Sequence, residues 1–283
     1  MKTDLLLIDG KNCIYRAIHA GRNDPRHDPS KRDYFVILLR FLNKYLVKFN
    51  PRSMHVFWDE KSSKLWRKKL YPDYKGNRKN DPEVEEEVNR LNSLAVDMFS
   101  NMGIYQYQKP KMEADDLIYA FSKLHKNEKT IIVSSDGDMM QIPYYFDNVS
   151  VHNPLKSNSD LEPRPEKNPA ELRSLMGDKS DQIFGYDQIG PKRAAALLED
   201  KARLNDYIEK NDIKIFARNL ALIDLSLCPY TLSNIRYILK VLNKPIKYDE
   251  KELYNLAREY KVHGFMSEYK KCILSFKSLV DNC

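Results

Sequence analysis

A chain of 283 residues with 42% apolar and 31% charged side chains can bury one sizeable core, or a large core with a smaller helical module, and is too apolar to be disordered. Its net charge of +7 and pI near 9.0 suit a nucleic-acid partner without establishing one. Four scattered cysteines (Cys13, Cys228, Cys272, Cys283) with no C-x-x-C pair exclude a clustered zinc site or disulfide scaffold, and the absence of a leader or a long apolar run predicts a cytoplasmic protein with no membrane partner.

The first strand is predicted at Asp4–Ile8, an apolar run stopped by Asp9. An amphipathic helix follows at Asp33–Phe49. A second strand, Met54–Trp58, ends on Asp59. Next comes a basic run of Lys61, Lys64, Arg67, Lys68, Lys69, Lys75, Arg78 and Lys79, opposed only by Asp73 and interleaved with Trp66, Tyr71 and Tyr74. Cations alternating with aromatics suit a single nucleic-acid strand, whose phosphates need neutralising and whose bases stack. A solvated helix face is the plainer alternative, and the run's position directly after Asp59 favours the functional one. Charge then flips at Glu83, Glu85, Glu86 and Glu87, at the start of a helix predicted at Val84–Met102.

Further strands are predicted at Ile104–Tyr107, Thr130–Ser134 and Val149–His152, with a helix at Glu113–Lys126 between the first two. Alternation of strands and helices implies an α/β domain over residues 1–152, with a mostly parallel central sheet flanked by helices. A Pro-, Ser- and Asn-rich stretch from about Asn153 to Asn168 marks a boundary. Beyond it no strand pattern is visible, and residues 153–283 are expected to be all-helical. Helical periodicity covers Pro169–Met176, Pro191–Leu198, Arg203–Lys210, Ile213–Leu225, Tyr230–Leu242 and Tyr248–Val262.

Acids stand where strands end: Asp9, Asp59, and Asp136 with Asp138. Ligands of an open parallel sheet bind at the carboxyl ends of its strands, so three strands deliver carboxylates to one edge. Singly, each is an ordinary turn or capping residue. Glu113, Asp115 and Asp116 open a helix facing the same edge, and Asp178 and Asp181 form an i, i+3 pair. So many carboxylates cannot ionise together without counter-cations. Hard divalent ions, Mg²⁺ with Mn²⁺ as the other candidate, prefer such oxygen ligands. Two of them suit in-line displacement at phosphorus, which points to phosphodiester hydrolysis. No phosphate-binding glycine motif of a nucleotide-triphosphate enzyme is present. Finally, Gly185-Tyr-Asp-Gln-Ile189-Gly190-Pro-Lys192-Arg193 reads as a hairpin opening a helix, whose free N–H groups can hold a phosphate beside Lys192 and Arg193.

This ordered set resembles the 5′ nuclease superfamily: flap endonucleases, the 5′ nuclease domain of bacterial DNA polymerase I, and phage enzymes of the T-even ribonuclease H type. The motifs are Asp9, Asp59, Tyr74-Lys75-Gly76-Asn77-Arg78, Glu113-Ala-Asp115-Asp116, Asp136-Gly-Asp138, Asp178-x-x-Asp181 and the Gly185–Lys192 hairpin, together spanning most of the chain. The resemblance implies a first metal group of Asp9, Asp59, Glu113, Asp115 and Asp116, with Asp116 acting through water or by supporting the residues that touch the metal. It implies a second group of Asp136, Asp138, Asp178 and Asp181. Lys75 and Arg78 would meet the scissile phosphate at the foot of a helical arch, about residues 60–82. Tyr74 would stack on a base, and Lys68, Lys69 and Lys79 would line the DNA path. Gly185, Ile189, Gly190, Lys192 and Arg193 would belong to a helix–three-turn–helix, about residues 177–200, that grips duplex DNA and takes K⁺. The implied substrates are DNA with a 5′ flap, nick or 5′ end and RNA–DNA hybrids. The implied setting is a monomer in a bacterial or phage-infected cell, beside replication proteins such as a single-stranded-DNA-binding protein. Two other readings are a catalytically inactive nucleic-acid-binding homologue, which should have lost acids, and a PIN-type ribonuclease, which has fewer.

Overall fold

The computed structural model describes residues 3–23, 33–77, 81–156 and 161–281. Its centre is a five-stranded sheet of β1 (Thr3–Asp9), β2 (Pro51–Trp58), β3 (Tyr105–Gln108), β4 (Thr130–Val133) and β5 (Val149–His152). The order is β3-β2-β1-β4-β5 and every neighbour is parallel, so all five predicted strands and their direction are found. The chain runs outward from β1 through β2 to β3, then restarts at β4 on the other side. The carboxyl ends of β1 and β4 therefore meet at a switch point, where an open parallel sheet binds its ligands.

Alternation along the strands divides the core in two. Leu6 and Ile8 face α1 (Gly10–Arg22), α2 (Tyr34–Phe49) and α4 (Pro82–Phe99). Leu5 and Leu7 face α5 (Ala114–Leu124) and α6 (Gln141–Tyr145). Among its described residues, the basic segment before α4 carries the four-residue α3 (Arg67–Leu70), a helical turn at Ser62–Lys64 and turns over 72–77. Within its described part Leu65, Trp66, Arg67 and Tyr74 are buried and tie the segment to the body of the protein. Most helices start on a capping side chain: Asp9, Asp33 and Asp81 accept backbone N–H groups of α1, α2 and α4.

After β5 come α7 (Pro169–Met176), the two-residue strands β6 (Gly177–Asp178) and β7 (Ile183–Phe184), α8 (Pro191–Glu199), α9 (Lys201–Lys210) and α10 (Ile213–Ile223). These gather a small core of their own, including Leu175, Tyr186, Ile189 and Leu197. The β6–β7 hairpin corrects the expectation of no strands after residue 153: two residues per strand leave no periodic signal. The chain then returns to the sheet. The helix α11 (Thr231–Leu242) covers α5, while α12 (Glu250–Glu259) and α13 (Phe265–Asp281) close the other face over α2, α4 and β2. Neither α1 nor α13 was expected from the sequence. In α13 the buried residues Phe265, Tyr269, Cys272, Phe276 and Leu279 keep helical spacing, but exposed Met266 and Leu274 blur the stripe. No helix among the described residues is long and apolar enough to cross a membrane.

Candidate active site

Asp9 ends β1 and works in two directions. Its Oδ1 accepts the Asn12 N–H at 3.1 Å, capping α1, and its Oδ2 accepts the Ser134 hydroxyl at 3.0 Å, from the end of β4. Asn12 adds two hydrogen bonds to Ser135, 2.8 and 3.2 Å, and so locks the two strand ends together. Asp59, just past β2, accepts the Ala114 N–H at 2.7 Å. That bond pins the start of α5 to the strand and brings Glu113 and Asp115 beside Asp59. Asp136, just past β4, accepts the Asp138 N–H at 2.9 Å. Asp9, Asp59, Glu113, Asp115 and Asp136 all line one cleft of about 860 Å³, with Lys11 and Lys75 at its walls.

Crowding sets the electrostatics. Burial, then the charges of Asp59 and Asp136, push Asp9 up to about 7. Burial and the neighbouring Glu113 raise Asp59. Burial raises Asp115 well above the ordinary carboxylate range, with Glu113 and Asp116 adding to it and Arg67 opposing. Asp138 reaches about 7 through burial and the charges of Asp136, Asp178 and Asp181, although Arg173 pulls it down. Buried acids set among like charges call for added cations, and an all-oxygen donor set fits hard divalent ions such as Mg²⁺ or Mn²⁺.

Glu113 differs. Burial pushes it up, but Lys75, Arg67 and the Tyr74 hydroxyl outweigh that and hold it at about 2. Lys75 Nζ pairs with Glu113 and lies 3.6 Å from Asp181 Oδ2; Arg67 Nη1 is 2.7 Å and the Tyr74 hydroxyl 3.0 Å from Glu113 Oε2. Lys75 takes a left-handed backbone (φ 55°) and donates its N–H to the Asp181 carbonyl at 2.9 Å, joining the basic segment to the region after α7.

The structure brings Glu113, Asp115 and Asp116 together, one oxygen of each within 4.8 Å of the others. Asp116, however, is turned to the interior: its oxygens accept two Arg67 contacts, the Trp66 indole N–H and the Glu113 N–H. Asp138 and Asp178 share Arg173, and Asp178 Oδ1 also accepts the Ser180 N–H and hydroxyl. Tyr74 corrects an expectation: its ring is 3% exposed and its hydroxyl is spent on Glu113, so no face is open to a base. Trp66 and Arg67 are likewise internal. Lys68 and Lys69 do line a second cleft with Lys64 and Lys111. Arg78 and Lys79 lie outside the described residues.

In the hairpin region, Gly190 caps α8 with no side chain, and Pro191, Lys192 and Arg193 are exposed on its first turn. Gly185 sits against Gly177, and the buried Ile189 side chain packs inward. Arg193 lies 5.6 Å over the Tyr207 ring. Sequence reasoning missed Arg67, Arg173, Asn12 and Ser134 as site residues. Arg67 was hidden among surface cations. Only its neighbour Trp66, an expensive residue to expose, distinguishes that position.

The family model described as the 5′-3′ exonuclease, N-terminal resolvase-like domain, matches residues 4–170. A 5′-3′ exonuclease of Aquifex aeolicus is 31% identical over 221 residues, 74% of this chain and 73% of that protein. DNA polymerase I of Rhizobium leguminosarum is 30% identical over 257 residues, 82% of this chain and 24% of that protein. The solved structure of the bacteriophage T5 flap endonuclease with DNA and metal ions shares the fold at a TM-score of 0.66 and 19% identity, covering 91% of this chain and 99% of that one. The family match runs over more than half of the chain and across the strands that carry Asp9, Asp59 and Asp136; the chain therefore belongs to the 5′-3′ exonuclease family and is a 5′ nuclease.

Proposed function

We propose that the enzyme hydrolyses phosphodiester bonds beside 5′ ends and at junctions of single strand with duplex, in DNA and in RNA–DNA hybrids, with two divalent cations. The observation that carries this reading is the convergence of Asp9, Asp59 and Asp115, the first buried, the other two half-buried and all three raised, on the cleft at the switch point. Asp9, Asp59, Glu113 and Asp115 would hold one cation; Asp136, Asp138, Asp178 and Asp181 would hold the other. Mg²⁺ is the proposed ion, with Mn²⁺ able to replace it. When bound, such ions supply Lewis acidity at phosphorus and acidify the attacking water.

The chain's own residues do the rest. Asp116 holds Arg67, which holds Glu113 in place. Lys75 Nζ stands in the cleft, where it can turn from Glu113 to the charge that grows on the phosphate; Arg78 is assigned the same task. Lys68, Lys69 and Lys79 would guide a single strand. The region from β6 to α8 is proposed as the helix–three-turn–helix. The N–H groups behind Gly190, with Lys192 and Arg193, would take duplex phosphates, and backbone carbonyls there would take K⁺. We assign catalysis to residues 1–152 and duplex binding to the following helices. The proposed setting is a cytoplasmic monomer that removes RNA primers, in company with a single-stranded-DNA-binding protein. No expected acid is replaced, which disfavours an inactive homologue.

The test is cleavage of a 5′-end-labelled flap duplex and a nicked RNA–DNA hybrid with Mg²⁺ or with EDTA. Short 5′ products that appear only with Mg²⁺ are expected, and their length separates exonucleolytic from flap cutting. Tight DNA binding without cleavage of either substrate would overturn the proposal.

A further inference from the structure

The second acidic cluster already holds a cation of its own. Arg173, in the last turn of α7, places Nη1 at 2.8 Å from Asp138 Oδ1 and 2.8 Å from Asp178 Oδ2. Gly137 makes room for it: a Cβ there would come within 2.6 Å of Arg173 Nη2. With Ser180 on Asp178 Oδ1 and Gln141 on Asp138 Oδ1, three of the pair's four oxygens are engaged. In the first cluster the cations Arg67 and Lys75 sit on Glu113, while neither Asp9 nor Asp59 forms an ion pair among the described residues, so those two carboxylates stay open to an added ion.

A guanidinium keeps its proton at any working pH, so this charge is permanent. A divalent ion settling on Asp138 and Asp178 meets it at contact range, in partly buried surroundings where screening is weak. Either the guanidinium swings away or the ion tolerates a like charge beside it. Both weaken the second site relative to the first. Arg173 is free to move: its side chain is 28% exposed, and these two carboxylates are its only hydrogen-bond or ion-pair partners among the described residues.

We propose that Arg173 is a built-in counter-cation of the second cluster, competing with the second divalent ion so that the two sites fill in order, the first cluster before the second. This rests on the two-cation reading above. A residue that merely positions Asp138 and Asp178 would act in the opposite direction, because its loss would loosen the site and weaken ion binding. The sign of the change decides between them.

The experiment titrates the full chain with Mn²⁺ and follows free Mn²⁺ by electron paramagnetic resonance, at fixed neutral pH and without nucleic acid. The wild type is expected to bind one ion tightly and one weakly. Arg173→Gln should tighten the weak site about tenfold, equivalent to about 1.4 kcal/mol, and leave the tight one unchanged. Gly137→Ala, which pushes the fork aside but keeps its charge, should move the weak site the same way by less and serves if Arg173→Gln does not fold. A weak site that is unchanged or weakened in the folded variants overturns the role of Arg173 and leaves the two-cation reading standing. One Mn²⁺ or none in the wild type and both variants removes that reading, and this inference with it.

Discussion

Arg67 and Asp116 meet through two parallel contacts of 2.9 Å, Nη1 to Oδ2 and Nη2 to Oδ1, with neither side chain more than 1% exposed. The guanidinium goes on to Glu113 Oε2 at 2.7 Å and the Leu222 carbonyl at 2.7 Å, so one buried cation joins α3, the start of α5 and the end of α10. A bidentate pair of this kind fixes geometry, and breaking one side strands a charge in the interior. Asp116→Ala is therefore expected to cost about 3–5 kcal/mol of unfolding free energy. The loss should be the same in EDTA as in Mg²⁺, measured by denaturant titration. A metal ligand would behave otherwise, losing only the stability that Mg²⁺ adds, and that result would return Asp116 to the metal group.

Lys75 is the cation in the cleft proposed to meet the phosphate. Its Nζ holds Glu113 ionised and spans to Asp181, so it links the two acidic groups across the cleft. Lys75→Ala should slow single-turnover cleavage by about 10²–10³-fold, the loss seen when one transition-state donor is removed. DNA affinity in EDTA should change little, since one phosphate contact among many is lost. A normal single-turnover rate would remove Lys75 from the reaction.

The sheet and the acids were legible because both signals are local. An apolar run ending on Asp marks a strand and its carboxyl end at once, as at Asp9 and Asp59, and parallel topology does the convergence. What stayed hidden depends on contacts distant in sequence. Arg67 and Tyr74 look like surface groups until α5 and α10 close over them, and no pattern in residues 61–79 announces a partner at Asp116 or Glu113. Arg173 reads as an ordinary basic residue in a helix's last turn, well placed for the dipole; its real partner, Asp138, is brought near only by packing of α7 beside the turn after β4. Helix α13 escaped for a different reason, since apolar residues on its outer face dilute a regular buried stripe.

The turn before α8 offers a contrast between two glycines. A Cβ on Gly185 would lie 2.2 Å from the Met176 carbonyl carbon and 2.4 Å from the Gly177 nitrogen, both backbone atoms that cannot yield. A Cβ on Gly190 meets nothing within 4 Å. Gly185→Ala should therefore separate β6 from the turn, disturb Asp178 beside it and reduce affinity for a duplex more than for a single strand. Gly190→Ala should fold normally and bind duplex nearly as well, with only the helix entry altered. Fluorescence anisotropy with both ligands checks this. Equal losses for the two variants would remove the hairpin from duplex binding.

Stability should depend on pH in a direction fixed by the cleft. Asp9 and Asp138 are both raised from 3.8 to about 7, chiefly by burial and by their acidic neighbours. A group with a raised folded value contributes stability that is fully present below its unfolded value and is lost as pH rises through the folded one. Without metal, the melting temperature should fall between about pH 4 and 7. Glu113 and Asp178, which are lowered, act in the opposite sense but at more acid pH, so they do not cancel this window. Divalent ions bind the deprotonated carboxylates, so the rise in melting temperature produced by Mg²⁺ should grow across the same interval. Asp9→Asn should flatten the EDTA curve and shrink the Mg²⁺ effect at alkaline pH together, because one side chain underlies both. A melting temperature in EDTA that holds constant or rises through this range would mean that the carboxylates are not crowded as the structure has them, and the electrostatic case for two cations would lose its footing.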